Sequence, residues 1–161
     1  RPVYREIENI RHAIRKQAFE SEFLWDARGE LIAARDGIIS KVALPKDELR
    51  MASGGMILHN HPNRTTFSID DLNVAKVFDI KHAEIVTETS MYWLEPPDMG
   101  WKHISGHIWR QAIKELFDRF QRVRDDAKHG IISRKEALDA LHKSMVEFRF
   151  NVRVRYGRIE G

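Results

Sequence analysis

Apolar positions near the start of the chain recur at helical spacing. Val3, Ile7, Ile10 and Ile14 fall on one side of a helix over residues 3–18, with charges between them. From Glu22 the period shortens. Glu22–Asp26 and Glu30–Ala33 read as two strands joined by a turn at Asp26–Gly29. Asp36-Gly37 is a second turn signal, ahead of a strand at Ile38–Leu44. Pro45 then opens a short helix, Lys46–Ala52, where its missing N–H is tolerated, and Ser53-Gly54-Gly55 ends it. The apolar run Met56-Ile57-Leu58 reads as a buried strand that stops at His59-Asn60-His61-Pro62. After a polar loop, Asn63–Phe67, the Ser68-x-x-Asp71 spacing predicts a helix start, with the helix running to about Ile80. Ala83–Glu88 and Met91–Leu94 predict a strand pair turning at Thr89-Ser90, and Pro96-Pro97 breaks the sheet.

The remainder reads as helical. Ile104, Ile108, Ile113, Leu116, Phe117, Phe120 and Val123 line a long helix, which His129-Gly130 interrupts. Ser133 and Glu136 have capping-box spacing, and Leu138, Leu141, Met145 and Phe148 continue an apolar stripe. The predicted class is therefore α+β: a helix, a sheet with one inserted helix, then a C-terminal helical hairpin. Residues 1–100 read as one domain carrying the chemistry. Residues 101–161 read as a helical extension packed on that domain or on a partner.

The 161 residues are 42% hydrophobic, enough for one domain with a real core. Arg1 at the first position points to a piece or processed product of a longer protein. There is no cysteine, so disulfides and thiolate metal sites are excluded and any metal must sit on His, Asp or Glu. Lack of cysteine fits a reducing compartment, and no apolar run has the length of a membrane span, so a cytoplasmic location without a membrane partner is expected. The 27 basic and 24 acidic side chains leave a net charge of +3. Basic patches at Arg110–Arg124 and Arg149–Arg158 make nucleic acid a conceivable partner, but charged helix faces are usually just solvated.

The chemistry concentrates at His59-Asn60-His61-Pro62. Residues two apart on a strand point the same way, so both imidazoles can reach one ion. Asp71, in the first turn of the following helix, can lean back over the strand end as a third ligand, with Asp70 its competitor. Two imidazoles and one carboxylate leave a fourth tetrahedral position for water, as in catalytic zinc sites. Ser68 also fits an ordinary N-cap, a role compatible with catalysis. His103 and His107 lack the intervening glutamate of an H-E-x-x-H motif. Trp25, Trp93, Trp101 and Trp109 read as packing residues.

The run Gly54-Gly-Met-Ile-Leu-His-Asn-His-Pro62 followed by Ser68-Ile-Asp-Asp71 resembles the JAB/JAMM (MPN, RadC-like) metalloprotease motif. Asparagine between the histidines is closer to the RadC-like branch, and phage- and effector-associated bacterial domains look similar. The resemblance covers about residues 20–95, and its histidine-to-aspartate loop is one residue shorter than usual. It implies a JAB/JAMM-like (cytidine-deaminase-like) central mixed sheet flanked by helices. It also implies Zn2+ on His59, His61 and Asp71, and Ser68 as an oxyanion stabiliser. The family's general base is an upstream glutamate: Glu22 is the first choice here and Glu20 the alternative. The expected activity is zinc-dependent hydrolysis of a peptide or isopeptide bond in a peptide or protein substrate. The alternatives are a scaffold or interaction module on the same fold, and a nucleic-acid-processing enzyme. The C-terminal helices could also mediate a protein partnership or a homodimer.

Overall fold

The computed structural model describes residues 2–37 and 44–160. Their elements run α1 (Pro2–Ile14), β1 (Ser21–Trp25), β2 (Leu31–Asp36), α2 (Lys46–Met51), β3 (Met56–Asn60) and α3 (Ile69–Val77), then β4 (His82–Val86), β5 (Ser90–Glu95), α4 (Gly106–Lys128), α5 (Arg134–Val152) and β6 (Arg155–Glu160). The strand expected at Ile38–Leu44 lies outside the described residues but for Leu44, which is not in a strand. Among the described residues the fold is α+β, with one six-stranded mixed sheet in the order β2-β1-β3-β4-β5-β6, flanked by helices. Among these six strands β3 and β4 pair in parallel, joined across α3, and the other neighbours are antiparallel.

Local chemistry sets the boundaries. Asp26 Oδ1 accepts the amides of Arg28 and Glu30, closing the β1–β2 turn, and Gly29 takes the positive φ the turn requires. At Gly55 the backbone passes so close to β1 that a Cβ would lie 2.0 Å from the Trp25 carbonyl oxygen, which only glycine avoids. Ser68 and Ser133 both form full capping boxes at the starts of α3 and α5.

The sheet buries different things on its two faces. On one, α1 covers Trp25, Leu58 and Val86 with Ile7 and Ile14. On the other, α3, α4 and α5 enclose the main core, in which Trp109 packs edge-on against Trp101 and Phe148. Trp25, Trp101 and Trp109 are buried, and Trp93 lies over Gly157.

Three expectations change. α1 is shorter than residues 3–18, ending at Ile14, and α3 ends at Val77. The larger difference is β6, where the sequence predicts a basic patch, Arg149–Arg158, and no strand. Val152 at the end of α5, Val154 in the link and Tyr156 in β6 are buried in alternation while Arg153 and Arg155 between them are exposed, and the strand pairs with β5. Residues 101–160 thus supply a strand to the sheet as well as the helical hairpin, and their buried side chains join the core of the preceding elements. No helix among the described residues is long and apolar enough to cross a membrane.

Candidate metal centre

β3 runs at the centre of the sheet, and its last residues carry the histidines. His59 pairs with Glu22 on β1 and with Ile85 on β4, so its backbone is held from both sides. His61 follows the strand, its amide bonded to the Val86 carbonyl at 3.1 Å. Both rings are buried, and their Nε2 atoms lie 3.0 Å apart.

Asp71 reaches both rings from the N-terminus of α3. Its Oδ1 lies 3.3 Å from His59 Nε2 and its Oδ2 3.5 Å from His61 Nε2. The carboxylate is fixed by the capping box: the Ser68 amide donates to Oδ2 at 2.8 Å, and the Asp71 amide donates to Ser68 Oγ at 3.1 Å. The helix N-terminus also favours the negative charge. Asp70, the alternative ligand, is exposed.

Two further carboxylates complete the floor. Glu20, just ahead of β1, places Oε1 3.5 Å from His61 Nε2, and it groups with His59 and His61 as a buried cluster able to hold an ion. Glu22 lines the same cleft two residues on. Sequence reasoning preferred Glu22; the glutamate in polar contact with a histidine is Glu20. The cleft has a volume of about 600 Å³, with apolar walls that include Leu49, Ile57 and Val74, and Arg124 of α4 at its edge.

The charges are strongly coupled. Burial opposes charging Asp71, but His59 and His61 outweigh it and hold the carboxyl well below its ordinary value. Burial likewise opposes charging His59, yet Asp71 beside it pushes the imidazole up to about 9. Burial raises Glu22 to about 7, partly offset by His59, and also raises Glu20.

These residues fit a metal ion on two observations. Donor atoms bound tetrahedrally at zinc distances lie ~3.3 Å apart. The contacts among the His59 and His61 Nε2 atoms and the nearest oxygens of Asp71 and Glu20, from 3.0 to 3.5 Å, are close to that spacing. In addition, His61 Nδ1 sits 2.9 Å from the Thr65 carbonyl oxygen, which can only accept, so Nδ1 bears the proton and Nε2 presents a lone pair to the cluster. His59 has no such partner: its Nδ1 is buried without a hydrogen bond, and the ring's polar contacts run from Nε2 into the cluster, to His61 and Asp71.

Sequence reasoning missed the supports: Thr65 behind His61, Asn60 bonded to the backbone on both sides of Glu20, and Tyr156, whose hydroxyl bonds Thr66 in the loop after the histidines. Asn60 was visible within the H-N-H string; the others come together only in the fold. His103 ends a 3₁₀ turn, His107 lies beyond it in α4, and both are exposed. Comparison with protein-family models, curated proteins and solved structures finds no match to this chain.

Proposed function

We propose that the chain is a metal-dependent hydrolase of the JAB/JAMM type, cleaving a peptide or isopeptide bond in a protein or peptide substrate. The observation that carries this reading is the convergence of His59, His61 and Asp71 donor atoms, 3.0 to 3.5 Å apart, at the floor of a cleft. The place of the histidine pair at the end of a central strand, with the aspartate on the next helix, supports a JAB-like reading of the fold.

In this reading His59, His61 and Asp71 hold a zinc ion. When bound, zinc supplies a Lewis acid that acidifies water and polarises a carbonyl. Glu20 acts as general base in preference to Glu22, because its Oε1 lies within 3.5 Å of a ligand nitrogen. It takes a proton from water as the water oxygen bonds to the amide carbon. It returns a proton to the nitrogen as the C–N bond breaks, leaving a carboxylic acid and an amine. Ser68 accepts the Asp71 amide through its oxygen, so its own proton remains to be donated to the developing oxyanion. The apolar walls limit water around these charges and strengthen their interactions.

The test uses quenched fluorogenic peptides, one set joined by α-peptide bonds and one by lysine isopeptide bonds. Zinc-loaded protein is expected to release the fluorophore, to stop when metal is chelated, and to resume on zinc addition. Cleavage that survives chelation, or none from either set, contradicts the proposal.

A further inference from the structure

Asn60 stands between the two histidines but points away from them. Alternation along β3 sends its side chain to the opposite face, where it is completely buried. Glu22 lies opposite His59, and one step further along that register Ser21 meets Asn60. The carboxamide there makes two hydrogen bonds. Oδ1 accepts the Ser21 amide at 2.7 Å, and Nδ2 donates to the Phe19 carbonyl at 2.8 Å. These two backbone groups flank Glu20, whose own carbonyl accepts the Gly37 amide at 2.8 Å.

We infer that Asn60 is a positioning residue that clamps the chain on both sides of Glu20 and so fixes the Glu20 carboxylate against the histidines. The inference rests on the metal-centre reading above. One side chain, covalently joined to both histidines, thereby sets the distance between the ligand nitrogens and Glu20. The clamp needs a donor and an acceptor on one short side chain, which asparagine has. Aspartate lacks the donor, serine reaches less far, and an apolar replacement leaves two buried backbone groups without partners.

The experiment is a double-mutant cycle on zinc affinity, measured by competition with a chromophoric chelator. Glu20→Gln removes a negative charge beside the ligands, and the expected loss of affinity is on the order of tenfold. Asn60→Ala is expected to cause a similar loss in the wild-type background and almost none in Glu20→Gln, because its effect runs through Glu20. Equal losses in both backgrounds overturn the clamp while leaving the metal centre standing. A wild-type chain that binds no zinc overturns the metal centre and the clamp with it. Thermal unfolding of each variant checks that it is folded. If Asn60→Ala does not fold, Asn60→Ser, whose hydroxyl can satisfy one of the two backbone groups, goes through the same cycle with the same expected non-additivity. Hydrogen exchange at the Ser21 amide gives a second readout: it is expected to accelerate in Asn60→Ala and not in Glu20→Gln. An unchanged rate also overturns the clamp.

Discussion

The hydroxyl of Tyr156 lies 2.9 Å from Thr66 Oγ1 and 2.8 Å from His142 Nδ1, joining β6 and α5 to the loop between His61 and Ser68. A second tie, from Arg134 to the Asn63 carbonyl at 2.9 Å, holds the same loop. The C-terminal segment therefore braces the chain on which the candidate ligands sit. Tyr156→Phe keeps the ring but strips both partners of their bond. It is expected to cost about 1–3 kcal/mol, read from denaturant unfolding, with zinc stoichiometry unchanged. An unaltered unfolding midpoint would show that the bond braces nothing.

Gly55 is a packing requirement. A methyl group there meets backbone atoms of Trp25 and Asp26, not the far end of a flexible side chain. Relief requires moving β1 against β3. Gly55→Ala is expected to destabilise the fold by about 1–3 kcal/mol or more, as overpacked sites do, measured by the same unfolding titration.

On the α1 face, His82 bridges Glu84 at 2.6 Å and Glu95 at 2.8 Å, while Arg11 binds Glu84 through two bonds of 2.7 Å. Burial works against charging His82, but the two carboxylates outweigh it and raise the ring above its ordinary 6.5. Burial also opposes charging Glu84, but His82 and Arg11 outweigh it and lower the carboxyl below its ordinary 4.5. The raised His82 stabilises fully below its unfolded value and loses that contribution as pH rises through its folded one. The lowered Glu84 stabilises fully above its unfolded value and loses that as pH falls through its folded one. The network is thus at full strength between about 4.5 and 6.5. His82→Gln is expected to cost most stability near pH 5.5 and progressively less as the pH is raised above 6.5, measured as wild type minus variant. A difference independent of pH would contradict this.

The two glutamates of the cleft are separable by substitution. With metal saturating, Glu20→Gln is expected to retain one zinc per chain and lose turnover on the fluorogenic peptides by about 10²–10⁴-fold. Glu22→Gln is expected to lose much less. The reverse order would return the general-base role to Glu22.

The candidate site was legible because its parts lie close in sequence and obey simple periods. An apolar run ending in H-N-H-P places two rings on one side of a strand, and S-x-x-D places a carboxylate in a first helical turn; the fold brings all three together. Glu20 was less legible because it precedes β1, where strand alternation does not fix direction, and its position depends on the distant Asn60. β6 was hidden because its arginines and Gly157 leave Tyr156 as its one buried side chain, and the buried Val152 and Val154 that extend the period of two lie before the strand, at the end of α5 and in the link that follows. The tie between Tyr156 and Thr66 spans 90 residues and has no local signature.

Metal analysis of protein purified without chelator, after exposure to excess zinc and desalting, addresses the metal centre most directly. Wild type is expected to keep about one zinc per chain, and His61→Ala, folded by circular dichroism, to keep none. A wild-type protein that emerges metal-free, or a His61→Ala variant that holds zinc as tightly, would contradict the site.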